Sequence, residues 1–174
     1  MKYALAVVAG LSCLFVSAPA IAESTVELSN VHLCCGACSK AVEKAVKDID
    51  GVKVSCVNKE SLVKITGDSD AAVQEAVDAI VAAGFHGKSS DAKFKITEVA
   101  GVPEGNVERL EFTGTHNCCG SCNRSIKKAI ASVDGVKADT AASKQSSFVV
   151  EGDFSAAAVV KALTDAGFHV QVKK

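Results

Sequence analysis

One heptapeptide, His32-Leu33-Cys34-Cys35-Gly36-Ala37-Cys38, returns 84 residues later as His116-Asn117-Cys118-Cys119-Gly120-Ser121-Cys122. This recurrence of H-x-C-C-G-x-C constrains the fold more than any other feature. A segment duplicated at such a distance is one folding unit present twice. A chain of 174 residues leaves one large domain or two small ones open, and the repeat decides for two. Six of the eight cysteines and two of the four histidines lie in the heptapeptides. The other two histidines recur as well, in Gly84-Phe85-His86 and Gly167-Phe168-His169.

Around each heptapeptide the hydrophobic period changes in the same order. Thr25 to Ser29 alternates and predicts a strand with one buried face. From Gly36 the apolar positions Ala41, Val42, Ala45, Val46 and Ile49 follow helical spacing, and Asp50-Gly51 supplies a left-handed stop. Val52 to Val57 and Leu62 to Thr66 predict a hairpin turning at Asn58 to Ser61. Asp68 to Asp70 offer caps for a second helix, which Gly84 ends. The second copy repeats the plan. Val107 to Thr113 is its first strand, and Ile126, Ile130 and Val133 line its first helix. Phe148 to Val150 is its third strand, Ala156 to Ala166 its second helix, and His169 to Val172 its last strand. The order β-α-β-β-α-β, twice, is the split βαβ arrangement. The fold expected is therefore α+β, two ferredoxin-like βαββαβ domains in tandem, at 23–92 and 106–174. Residues 93–105 form the linker, with Lys93 to Val99 able to extend the last strand of the first domain and Ala100 to Gly105 as the hinge.

Residues 1–22 read as an export leader. Lys2 is the charged start, Ala4 to Val16 the apolar run, and Ala20-Ile21-Ala22 an A-x-A cut. The run is shorter than the roughly 20 residues that cross a bilayer. The expected mature chain is periplasmic or secreted and does not span a membrane. Seven cysteines then remain, an odd number that cannot all pair within one chain. Thiols clustered within five residues close almost no loop, so disulfides there would stabilise little. Clustering points to metal ligation or redox chemistry. The net charge of −1 and the absence of Trp argue against nucleic acid as a partner.

A Cys-x-x-Cys placed where a strand gives way to a helix aims two sulfurs beyond the helix N-terminus. There free N–H groups and the helix dipole favour thiolates. Such a pair suits soft ions that accept two or three ligands, Cu(I) first and Hg(II) by the same softness. Cys34 or Cys118 adds a third thiolate, and His32 or His116 lies on the same side. Three sulfurs and a histidine also satisfy tetrahedral Zn(II). His86 and His169, at the other repeated position, are auxiliary ligand candidates. Cys56 has no counterpart and reads as a small packing residue. Lys127 and Lys128 read as a solvated helix face or a docking surface for an acidic partner.

These loops resemble the G-M-x-C-x-x-C loop of the heavy-metal-associated domain family, which includes copper chaperones and the amino-terminal domains of metal-pumping ATPases. Cys35 and Cys38, then Cys119 and Cys122, match its two metal thiolates. Phe85 and Phe168 match the aromatic residue that the family places near the metal. His32 and His116 stand at the family glycine; Leu33 and Asn117 stand at its buried methionine, so packing under the second loop differs. The resemblance implies one soft ion per domain, non-catalytic carriage, and delivery to a membrane metal transporter or other metal-accepting protein. The competing reading of the residues is a thiol–disulfide oxidoreductase working through the C-x-x-C pairs.

Overall fold

A computed structural model describes residues 23–173; the leader expected at 1–22 lies outside them. The first domain runs β1 (Ser24–Ser29), α1 (Gly36–Val46), β2 (Val52–Val57), β3 (Leu62–Gly67), α2 (Asp70–Ala82) and β4 (Lys88–Ser89). The second runs β5 (Asn106–Thr113), α3 (Gly120–Ala131), β6 (Val136–Asp139), β7 (Phe148–Ser155), α4 (Ala156–Asp165) and β8 (Gln171–Val172). Each sheet is antiparallel, in the orders β2-β3-β1-β4 and β6-β7-β5-β8. Both domains are ferredoxin-like, as the two periods predict. No helix among the described residues is long and apolar enough to cross a membrane.

Burial follows the sequence periods. Val26 and Leu28 of β1 face inward, while Thr25 does not. On α1 the buried stripe is Cys38, Val42 and Val46, spaced i, i+4, i+8. On α3 it is Cys122, Ile126, Ala129 and Ile130. The last cysteine of each heptapeptide is therefore also the first core residue of its helix. Ser69 and Ser155 cap α2 and α4, each hydroxyl accepting from the backbone N–H three residues on.

Two expectations are revised. The first helix stops at Val46, and Gly51, at φ +71°, serves the turn into β2 instead. Lys93 to Val99 does not extend β4. The Gln74 side chain on α2 pins Lys95 through both its backbone N–H and its carbonyl, each at 2.9 Å, and Phe94 is buried alongside. A side-chain amide thus takes the backbone groups that a strand ladder would have used.

The two domains meet about an approximate two-fold axis. Phe85 and Phe168 form an antiparallel bridge. The Gly167 carbonyl accepts from the His32 and His86 N–H groups at 3.4 and 3.0 Å. Reciprocally, the Gly84 carbonyl accepts from His116 and His169 at 3.4 and 3.0 Å. Both glycines have positive φ, and a Cβ at either would lie within 2.4 Å of the opposite domain's backbone nitrogen. Glycine is required here by conformation and by close approach together.

Candidate metal centre

The reciprocal contacts bring the two cysteine loops face to face. Cys35 and Cys119 are the N-cap residues of α1 and α3, in extended backbone, so each following C-x-x-C turn opens a helix. All seven described cysteines are free thiols. Cys34 Sγ lies 3.4 Å from Cys122 Sγ and 3.6 Å from Cys119 Sγ, both across the domain boundary. Cys38 Sγ lies 3.9 Å from both Cys118 and Cys122 Sγ. Within the loops, Cys34 and Cys38 are 3.6 Å apart, Cys35 and Cys38 4.0 Å, Cys118 and Cys122 3.7 Å, and Cys119 and Cys122 3.8 Å. A tetrahedral ion with metal–sulfur bonds of about 2.3 Å holds its sulfurs about 3.8 Å apart. The thiols present are therefore spaced as ligands to a common ion need to be.

Cys38 and Cys122 are fully buried, while Cys34, Cys35, Cys118 and Cys119 are half-buried. The site is thus a cleft between two domains, where the sequence predicts two separate surface loops. Phe85 and Phe168 set its histidines: each ring stacks on the opposite domain's histidine, Phe168 on His32 and Phe85 on His116, with centroids 4.3 Å apart. His32 Nε2 and His116 Nε2 are buried without a hydrogen-bond partner. His116 joins Cys38, Cys118 and Cys122, and His32 joins Cys34 and Cys122, in sets whose ligand atoms lie within 4.8 Å of one another. A third such set is Cys34, Cys35 and Cys119.

His86 and His169 belong to none of these sets. They stack on each other across the interface, ring centroids 5.8 Å apart, with Nδ1 of each buried and unpartnered. Cys56 is half-buried on β2, outside the cluster. A further groove runs between α3 and α4, lined by Lys128, Asp134, Lys161 and Asp165; it reaches the first domain through His32.

Thiol acidity differs around the cluster. Backbone hydrogen bonds at the start of α3, chiefly from Cys122, hold Cys119 down to about 6. Burial pushes Cys34 and Cys118 up to about 12. Cys38 and Cys122 act as a pair: the hydrogen bond between their sulfurs lowers the pKa of the one that accepts and raises that of the one that donates. Under the two-fold relation the charge can sit on either, so the pair readily carries one thiolate and resists a second while no cation is present. Burial lowers the pKa of His32, and holds that of His169 at about 4.

One supporting residue escapes sequence reading. Asn58 follows β2, in the turn expected to be only a connector. Its amide donates to the Leu33 and Cys35 carbonyls at 3.1 and 3.0 Å and accepts from Ser39 Oγ at 2.9 Å. No local pattern marks it, because its partners lie 19 to 25 residues away.

Two ferredoxin-like domains, each opening a helix on Cys-x-x-Cys, define a thiolate-based metal-binding protein. The chain belongs to the heavy-metal-associated domain family, whose profile matches residues 25–86 and 118–169. Among solved structures it is similar to the N-terminal soluble domains of Bacillus subtilis CopA, at 18% identity over 87% of this chain and 95% of that one, with a TM-score of 0.35. It is also similar to the first two RRM domains of yeast poly(U) binding protein Pub1, at 9% identity over 86% and 98%, with a TM-score of 0.27. Neither superposes closely enough to add to the family assignment. No curated protein matches the chain.

Proposed function

We propose that this chain is exported through residues 1–22 to the periplasm or beyond and binds a soft heavy-metal ion there. The candidates are Cu(I), Hg(II) and Zn(II). It acts as a metallochaperone or scavenger, not an enzyme, and passes its cargo to a membrane metal transporter or other metal-accepting protein. The observation that carries this reading is the gathering of six sulfurs, from Cys34, Cys35, Cys38, Cys118, Cys119 and Cys122, at separations of 3.4 to 4.0 Å. Soft thiolates select soft cations. Cys35 and Cys119 reach solvent, so an incoming thiolate can join the cargo before a resident one leaves.

The test is anaerobic titration of the reduced mature chain with Cu(I), Zn(II) and Hg(II) against competing chelators. Strong uptake that is lost when the six cluster cysteines are replaced together by serine supports carriage. The absence of measurable affinity for all three ions overturns it. One observation favours a second reading: Cys119, held near 6, is acidic enough to attack disulfides at neutral pH. Thiol–disulfide exchange through the C-x-x-C pairs would then appear as insulin reduction by a chain with negligible metal affinity.

A further inference from the structure

We propose that the two loops build one dinuclear site, in which Cys38 and Cys122 bridge two tetrahedral divalent ions of the zinc class. One ion is completed by Cys118 and His116, the other by Cys34 and His32. The inference rests on the metal-binding reading above and replaces one independent ion per domain with a shared pair.

The arrangement of the sulfurs carries it. Cys38 lies within 4.0 Å of both other cysteines of its own loop and of Cys118 and Cys122 opposite. Cys122 lies within 3.9 Å of both other cysteines of its loop and of Cys34 and Cys38 opposite. These two sulfurs sit at the centre of the cluster and are fully buried. That is where a bridging ligand must stand, since it has to face two ions and no solvent. Around Cys38 and Cys122, the ligand atoms of His116 and Cys118 are all within 4.8 Å of one another, which makes a complete three-sulfur, one-nitrogen set. The two-fold mate draws in His32 and Cys34, which form such a set with Cys122; Cys38 lies 3.6 Å from Cys34 and 3.9 Å from Cys122.

The histidines supply a second, independent observation. Each histidine ring stacks on a phenylalanine of the other domain, its Nε2 is buried without a hydrogen-bond partner, and one of its ring nitrogens lies within 4.8 Å of the sulfurs of its set. An imidazole nitrogen left without a hydrogen bond in a buried place costs free energy unless something accepts its lone pair. A cation does so. Charge then selects among soft ions. Four thiolates, two neutral imidazoles and two divalent cations make a centre with no net charge. Two monovalent ions would leave two negative charges uncompensated in the interior. Loading forms the metal–sulfur bonds as the remaining thiol protons leave to water, with no change in oxidation state.

Zn(II) is the probe. The reduced mature chain is expected to take two Zn(II) at competing-chelator concentrations that hold both. X-ray absorption at the zinc edge should show sulfur and nitrogen neighbours together with a short Zn–Zn shell. Cys38→Ala, although confined to the first domain, should weaken retention of both ions by more than about tenfold, with far-UV circular dichroism confirming the fold. Cys122→Ala should do the same from the second domain. Retention of one Zn(II) at wild-type strength in folded Cys38→Ala overturns the proposal, as does a wild-type chain with one Zn(II) or with no Zn–Zn shell. In each of those cases metal carriage itself stands. It stands also if Cu(I) or Hg(II) binds and Zn(II) does not, and it falls only if none of the three binds. The absorption measurement needs no variant, so a Cys38→Ala chain that unfolds leaves the question answerable.

Discussion

The two cysteine loops share one sequence pattern but are held from opposite sides. The first rests on an apolar residue, Leu33, buried to 4% exposure, and is tied from outside by Asn58, which bonds the Leu33 and Cys35 carbonyls. The second has Asn117 at the place of Leu33. That side chain is equally buried, and its amide donates to the Ala142 carbonyl at 2.8 Å and to Asn123 Oδ1 at 3.2 Å. Its backbone carbonyl accepts from Lys144 N–H at 2.7 Å, where Lys144 takes a left-handed φ of 67°. One loop is therefore supported by packing plus a remote amide, the other by its own amide and the irregular segment before β7. Duplication preserved the ligands, whose spacing is set by chemistry, and let the scaffolding diverge, because packing and hydrogen bonds can each hold a turn.

The symmetric part of the molecule should respond symmetrically. Gly84→Ala and Gly167→Ala each force a left-handed alanine, about 1–2 kcal/mol, and a backbone overlap of about 1–3 kcal/mol more. Equal losses near 2–5 kcal/mol are expected in urea unfolding, with faster alkylation of Cys38 and Cys122. Loss from one variant alone would break the two-fold description. The loops themselves should respond unequally. Leu33→Ala leaves a cavity and costs about 2–4 kcal/mol. Asn117→Ala strands the Ala142 carbonyl and costs about 1–3 kcal/mol. Equal costs, measured by the same unfolding experiment, would argue that the two supports are interchangeable.

Acid should act through the histidines buried at the domain interface, His169 above all. Burial lowers the pKa of His169 to about 4, so its neutral form is favoured in the folded chain. The unfolded chain binds that proton near the ordinary histidine value, about 6.5. The associated stability is complete above that value and is lost as pH falls from about 6.5 toward 4, by up to about 3 kcal/mol. His169→Asn should flatten the stability profile in this window. An unchanged acid limb would place the titration elsewhere. Asn58→Ala should cost about 1–2 kcal/mol and raise proteolysis or hydrogen exchange in the first loop only. The smallest effect belongs to Lys127→Ala. Lys127 pairs with Asp139 at 2.6 Å, and the lysine is 43% exposed, so less than about 1 kcal/mol is expected. That pairing also spends part of the charge that the helix face would offer an acidic partner.

Much of the architecture was legible because it rests on local periods. The alternation of β1 and the i, i+4, i+8 stripe from Cys38 to Val46 each state a buried face without reference to the rest of the chain. Where a remote side chain competes for backbone groups, as Gln74 does for Lys95, the local pattern carries no trace of the outcome. The same limit applied to Asn58, which reads as a turn residue and works as a brace. His86 and His169 stood beside the other ligand candidates on the strength of repetition, and the fold pairs them with each other, apart from the three thiol-bearing sets.

By itself the order of residues determined two α+β units, and in each a set of soft ligands at a helix start. Both are short-range properties, set by hydrophobic period and by the chemistry of sulfur and imidazole. What only the tertiary structure decided is that the two sets face one another. That depends on two glycine carbonyls, each accepting from the opposite domain, and on two phenylalanines turned toward the opposite histidines. Those contacts join residues 31 to 136 apart in the chain, and no local period records which distant surfaces will touch.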